Sequence, residues 1–213
     1  MVNVMVVEDQ VMPRQLFEAF INASQDYCLV RSIKNADMAE LYCESDEIDL
    51  ILMDICTAMN ASGLEAAEVI KRKFPQIKII IVTSLPEVSY IKRAREAGVD
   101  SFWYKEISPE PILELMDRTM AGESVYPDNT PVVPFGLTDS SRFTEREFEV
   151  LRELTSGDTN AAIGDRLGMS KHTVRDYIQT MLEKTGFRSR TELAVKARES
   201  GLVILDKTKE PKK

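Results

Sequence analysis

The sequence predicts two folds in one chain: an α/β first half built on a doubly wound parallel sheet, and an all-α second half of four helices. Near-continuous apolar runs at residues 2–7, 50–53, 77–82 and 102–104 carry the first expectation, because strands buried on both faces have this composition. Helical stretches separate the runs, and alternating strands and helices imply a parallel sheet. The second expectation rests on helix start signals and on apolar residues at helical spacing between residues 144 and 199.

Each apolar run closes on polar residues: Glu8 and Asp9 after the first, Asp54 after the second, Thr83 after the third and Lys105 after the fourth. Chemistry in parallel sheets collects just beyond the carboxyl ends of the strands, so these five side chains are expected at one phosphoacceptor site. With that order, and with Phe102 three residues before the lysine, residues 1–121 resemble the receiver domain of bacterial two-component response regulators. The resemblance implies a flavodoxin-like (βα)5 fold. It also implies Mg²⁺ bound by Glu8, Asp9, Asp54 and the Cys56 carbonyl, and a phosphoryl group accepted by Asp54 from a sensor histidine kinase. Thr83 and Lys105 would contact the phosphoryl oxygens, and Phe102 would be the switch aromatic.

The residue types suit that chemistry. Three carboxylates close together repel, which raises at least one pKa, and a divalent cation between them restores the charged forms. Mg²⁺ takes oxygen ligands and keeps several waters, so two or three carboxylates and a carbonyl suit it. Asp54 would attack phosphorus in line as a carboxylate nucleophile, with Mg²⁺ and Lys105 neutralising charge on the equatorial oxygens. Two departures from the family pattern flank the site. Residues 55–63 lack the usual Met-Pro and make the spacing from Asp54 to Gly63 one residue longer, and Lys105 is followed by Glu106 rather than proline.

A chain of 213 residues with 44% apolar content is long enough for two cores. It contains no run of about 18 apolar residues and opens directly in a strand pattern without the features of a signal peptide, so a cytoplasmic protein without a membrane span is expected. Cys28, Cys43 and Cys56 are odd in number and scattered, which favours reduced thiols. One histidine, His172, and no cysteine cluster leave a zinc site or a histidine-dependent triad unsupported. The net charge of −8 divides unevenly: residues 1–138 hold 12 Lys and Arg against 22 Asp and Glu, giving −10, and residues 139–213 hold 15 against 13, giving +2. Only the second half favours a phosphate backbone.

Residues 122–141 carry Pro127, Pro131, Pro134 and Gly136 among small polar residues, which argues against regular structure and marks a linker. Residues 205–213 are charged, contain Pro211, and are expected to form a disordered tail. Between them, a domain over 142–204 opens with Thr144 and Glu147 at capping-box spacing, and Gly157 follows the first helix as a C-terminal cap. A short helix over 160–167 ends at Gly168, Ser170 caps a third helix running to about Lys184, and a fourth covers 190–199. Two short helices across a tight turn read as a helix-turn-helix.

In the third helix Val174, Ile178, Met181 and Leu182 follow helical spacing and face inward, while Lys171, His172, Arg175, Asp176 and Gln179 lie opposite. Such a face is either solvated or able to hydrogen-bond base edges and phosphates in a major groove. Phe143, Thr144, Glu147, Val150, Leu151, Gly157, Asn160, Ile163, Leu167, Ser170, Thr173, Val174, Leu182, Gly186, Arg188 and Arg190 together resemble the LuxR-type DNA-binding domain. Joined to a receiver, this implies the NarL-type class, with the third helix reading DNA and the fourth supporting dimerisation. The resemblance puts Arg175, Asp176 and Gln179 on bases, and Lys171, Lys184, Arg188 and Arg190 on phosphates. Arg190 is equally suited to pair with Glu145 or Glu147. Tyr177 stands where histidine is frequent, and Asp176 is acidic at a base-facing position, where it can accept from cytosine N4.

The sequence is thus expected to encode a phosphorylation-regulated transcription factor, not an enzyme beyond its own phosphoryl transfer and dephosphorylation, acting on promoter DNA as a homodimer when active. A phosphorylation-independent regulator whose receiver serves as a dimerisation module is the alternative, motivated by the altered loop after Asp54. An aspartate-nucleophile phosphohydrolase is disfavoured because Cys56 stands where an Asp-x-Asp pair needs its second carboxylate.

Overall fold

A computed structural model of the chain describes residues 1–87, 89–105, 108 and 111–203. These separate into two compact units, one comprising 1–84 and 90–129, the other Leu85–Ser89 with the chain from Thr130 onward. The expected tail over 205–213, residue 204 and Glu106 lie outside the described residues.

The first unit is a five-stranded parallel sheet of β1 (Val2–Val7), β2 (Tyr27–Ile33), β3 (Leu50–Met53), β6 (Lys78–Thr83) and β7 (Ser101–Tyr104), in the order β2-β1-β3-β6-β7. Its helices are α1 (Val11–Ala23), α2 (Ala39–Ser45), α3 (Gly63–Lys73), α4 (Ser89–Glu96) and α5 (Ile112–Met120). The doubly wound α/β class expected from the alternation is therefore present. Val4, Val6, Leu50, Leu52, Ile80 and Val82 pack with Phe17 and Ile21 of α1 and with Ile112, Leu115 and Met116 of α5. Met5, Val7, Ile51, Met53, Ile79 and Ile81 alternate with them and are just as buried, so the central strands are covered on both faces. Strand β2 has no such run because it lies at an edge, with only Tyr27 buried and Arg31 and Ser32 half-buried. The last of these helices, α5, begins at Ile112 directly after Pro111.

The segment after Asp54 folds into a small antiparallel hairpin of β4 (Cys56–Thr57) and β5 (Ala61–Ser62), closed by a 3₁₀ turn over Ala58–Asn60. Met59 at its tip is exposed and left-handed, with φ 64°. The buried Thr57 hydroxyl accepts from the Ala36 amide at 2.9 Å and donates to the Ala61 carbonyl at 2.9 Å, which ties the hairpin to the chain before α2. Gly63 then opens α3 directly over Asp54: a β-carbon there would sit 1.9 Å from the Asp54 carbonyl oxygen, so any larger residue would displace the Asp54 backbone.

The second unit holds a hairpin of β8 (Pro134–Phe135) and β9 (Thr138–Asp139), then α6 (Glu145–Leu154), α7 (Asn160–Leu167), α8 (Lys171–Thr185) and α9 (Arg190–Glu199). Phe148, Leu151, Leu154, Ile163, Val174, Ile178, Met181 and Leu193 form its core, joined by Phe135 and Phe143. The capping box forms as expected: Thr144 Oγ1 accepts from the Glu147 amide, and the Glu147 carboxylate accepts from the Thr144 amide at 2.8 Å. The expectation that 122–141 lacks regular structure does not hold, since β8 and β9 lie within it and Phe135 is buried.

Because Thr57 satisfies two buried backbone groups at once, Thr57→Val is expected to lower the unfolding free energy by about 1 to 3 kcal/mol, the usual cost of stranding buried polar groups. Thr57→Ser, which keeps the hydroxyl, should recover part of it. Denaturant titration of both variants checks this, and equal losses would show that the hydroxyl does not hold the hairpin.

Candidate functional site

At the carboxyl ends of β1 and β3, where the sheet order reverses direction, one oxygen each from Glu8, Asp9 and Asp54 lies within 4.8 Å of the others. Glu8 and Asp54 are almost wholly buried and Asp9 is half-buried. Backbone pairing sets their positions, with the Glu8 amide donating to Ile33 O at 3.0 Å and the Asp54 amide to Val7 O at 2.9 Å. One Asp54 oxygen, Oδ1, accepts from the Ile55 amide at 2.9 Å; the other, Oδ2, lies 3.4 Å from Lys105 Nζ. That ammonium also donates to Glu8 Oε2 at 2.5 Å. The Lys105 amide donates to Thr83 O at 3.0 Å, and Thr83 is fully buried.

Burial pushes the Asp54 carboxyl up; Lys105 counteracts this, Glu8 adds to it, and the net result is a pKa of about 7. Burial pulls Lys105 down, but the Asp54 and Glu8 carboxylates outweigh it and hold the lysine above its ordinary value. Glu8 and Asp54 therefore share the Lys105 ammonium in a poorly solvated place, with the Asp9 carboxylate close by. A donor set made only of oxygens, with unbalanced negative charge, fits a hard divalent cation.

Phe102 is buried and packs against Tyr104, with ring centroids 5.0 Å apart, and against Tyr126 at 6.2 Å. The Phe102 amide donates to Val125 O at 2.8 Å, and Arg95 stacks 3.9 Å from the Tyr126 ring. The chain just after α5 is thus attached to the edge strand beside Phe102. Sequence reasoning missed Val125 and Tyr126, whose only local signal is an aromatic next to Pro127.

In the second unit Lys171, His172, Arg175, Asp176 and Gln179 all lie exposed on one face of α8, opposite the buried Val174, Ile178 and Met181. Arg175 and Asp176 pair with each other at 3.2 Å, and Gln179 donates to Glu183 at 2.9 Å. Arg188 is exposed. Two residues expected at phosphates have partners inside the unit. Lys184 Nζ lies 2.6 and 2.8 Å from the oxygens of buried Glu147 and also donates to Arg142 O. Arg190 donates to the Asn160 side chain at 2.9 Å and to Asp158 O at 2.6 Å, so Glu147, one of its two expected partners, belongs to Lys184. Arg166 links Glu153 and Asp158 and so holds α7 to the end of α6.

An acidic cluster with a lysine at the switch point of a parallel sheet, followed by a helix-turn-helix, makes a two-unit signalling regulator. The chain belongs to the response regulators: residues 4–117 match the response regulator receiver domain, and residues 141–197 match the bacterial regulatory proteins of the luxR family. It is a DNA-binding transcriptional response regulator of the LuxR family. The response regulator protein VraR of Staphylococcus aureus is 29% identical over 212 residues, covering 95% of this chain and 99% of that protein. YxjL of Bacillus subtilis, an uncharacterized transcriptional regulatory protein, is 27% identical over 213 residues, covering 95% and 97%. Among solved structures, a DNA-binding response regulator of the LuxR family from Staphylococcus aureus is 28% identical with a TM-score of 0.52, covering 56% of this chain and 99% of that one. RcsB, in a structure of two dimers bound to two parallel DNAs, has a TM-score of 0.59 at 16% identity, covering 92% and 98%, and speaks to the fold alone. Receiver domains generally bind Mg²⁺, and response regulators act with sensor kinases. Among the described residues no helix is long and apolar enough to cross a membrane.

The folded pKa of Asp54 lies above its ordinary 3.8, so without metal it contributes stability that is fully present below about pH 4 and is lost as pH rises through about 7. Asp54→Asn removes this dependence. In a chelator the variant should match the native chain near pH 4 and exceed it at pH 8 by at least roughly 1.4 kcal/mol, the equivalent of one pKa unit. Urea unfolding across that range checks this, and a constant difference would refute it.

Proposed function

We propose that this chain is switched by phosphorylation of Asp54, with Mg²⁺ held by Glu8, Asp9, Asp54 and the Cys56 carbonyl, and that the switch controls its binding to promoter DNA as a dimer in the cytoplasm. The observation that carries the reading is the convergence of three carboxylates and Lys105 at the reversal point of the sheet. When bound, Mg²⁺ supplies positive charge against the carboxylates and the phosphoryl oxygens. Asp54 Oδ2, which faces the lysine, is the attacking atom: its bond to phosphorus forms as the bond from phosphorus to the donor nitrogen of a sensor histidine kinase breaks. Lys105 neutralises an equatorial oxygen, and the Thr83 hydroxyl turns towards another. Phe102 then repacks, and Val125 and Tyr126, which touch it, carry the change into the chain after α5.

In the output unit the exposed residues of α8 divide by chemistry. Arg175, Asp176 and Gln179 read base edges, with His172 beside them, and Lys171 and Arg188 meet phosphates. Lys184 and Arg190 serve first to hold α8 and α9 in place, through Glu147 and through Asn160 with Asp158.

With a small-molecule phosphodonor and Mg²⁺, mass spectrometry should find one added phosphoryl group at Asp54 and none in Asp54→Asn. Undiminished labelling of the variant would remove Asp54 from its role. No labelling of the native chain by donor or kinase, with DNA binding intact, would favour the phosphorylation-independent alternative.

Gln179→Ala should relax preference at one or two base pairs per half-site, a loss of ~1 to 3 kcal/mol of discrimination. Arg188→Ala should weaken all sequences alike and lower the salt dependence by about one unit of slope. Titrations on operator and scrambled duplexes at several salt concentrations separate the two. Identical behaviour of the variants would contradict the division between reading and holding.

A further inference from the structure

We infer that the β8–β9 hairpin is a positioning element of the DNA-binding surface: through the Leu137 amide and the Phe135 ring it fixes the turn that presents Arg188. The inference rests on the proposed role of Arg188 at a DNA phosphate. Thr185 is the last residue of α8, and its carbonyl is one that the helix itself cannot satisfy. The Leu137 amide, 48 positions earlier, donates to that oxygen at 2.9 Å. Gly136 makes the approach possible, since its φ is +66° and a β-carbon would lie 2.2 Å from the same oxygen. Phe135 is 2% exposed and sets its ring edge-on to Phe187 at 5.1 Å and to Phe143 at 5.7 Å. The Leu137 side chain, 84% exposed, is instead laid over Gly186, where an added β-carbon would come within 2.6 Å of its Cδ1.

The turn from Thr185 to Phe187 is thereby held at three consecutive residues by one hairpin. Arg188 follows at once, with its amide donating to Glu192 at 2.8 Å, and Ser189 caps α9 by accepting from the Glu192 amide at 3.1 Å. Arg188 therefore stands between a clamp and a cap. Helix α8 does not need the hairpin to end: Gly186 N already donates to Leu182 O at 2.8 Å, and Thr185 Oγ1 to Met181 O at 2.7 Å. What the hairpin adds is the direction in which the chain leaves the helix. That direction decides where the Arg188 guanidinium can reach.

The test uses the full chain and a random-sequence duplex, whose binding reports phosphate contacts without requiring a known operator. Leu137→Pro deletes the amide, and Leu137→Ala shortens the side chain but keeps it. Leu137→Pro is expected to speed amide exchange at Gly186, Phe187 and Arg188, weaken binding roughly threefold to tenfold and lower the salt slope by about one unit. Leu137→Ala should fall between it and the native chain. The decisive comparison is Arg188→Ala in both backgrounds: it should weaken binding in the native chain and add little to Leu137→Pro, because the two changes act on one contact. An equal cost in both backgrounds, or native binding by Leu137→Pro, would overturn the inference while leaving the DNA-binding role intact. If Arg188→Ala has no effect even in the native chain, the phosphate role of Arg188 fails and the inference falls with it. Should Leu137→Pro not fold, Phe135→Leu, which loses the ring contact with Phe187 but keeps apolar volume, carries the same comparison.

Discussion

Glu8 and Asp54 share the Lys105 ammonium with the Asp9 carboxylate close by, and the rest of the first unit can be understood as the scaffold that enforces this arrangement. In water the three carboxylates would separate; here adjacent parallel strands β1 and β3 deliver them to one point, and β7 brings Lys105 beside them. Burial strengthens both the repulsion and the attraction. Burial raises the Asp54 carboxyl, Glu8 adds to the rise, and the lysine offsets only part of it. A buried cluster in this condition is poised to respond to added positive charge.

Much of this site was legible in the sequence because every member closes a buried strand, and buried parallel strands announce themselves as apolar runs. Strand β2 was not, since an edge strand with Arg31 and Ser32 half-buried lacks the run. The hairpin after Asp54 and the one at β8–β9 were missed for a different reason. Each has only two residues per strand and is held by distant groups, Ala36 for the first and Thr185 for the second. Proline and glycine around 134–136 pointed to irregular chain, although glycine at the first central position of a two-residue loop is also a hairpin signal.

Charge on the output unit shows the same limit. Lys184 and Arg190 look like phosphate ligands in a basic segment, yet their partners lie 37 and 30 residues away and only the fold brings them together. Glu147 is the junction. Its carboxylate closes the capping box of α6 and receives Lys184 from α8, while the same ammonium sits 5.5 Å from the Phe143 ring. One buried acid thus joins the start of α6 to the end of α8, and the β8–β9 hairpin grips that same end through the Thr185 carbonyl. Among the described residues of this unit, Lys184, Arg166 and Arg190 are thus engaged internally, while Lys171, Arg175 and Arg188 lie exposed.

If burial and Glu8 keep the Asp54 carboxyl partly protonated in a cluster that takes a cation, binding of that cation displaces the proton. Calorimetric titration of the full chain with Mg²⁺, in two buffers of different ionisation enthalpy at about pH 6.5, tests it most directly, because metal binding to a partly protonated carboxyl must release protons. The account predicts one binding event with proton release that fades as pH rises towards 8, and loss of that release in Asp54→Asn. Absence of binding, or binding with the same proton balance in native chain and variant, would contradict it.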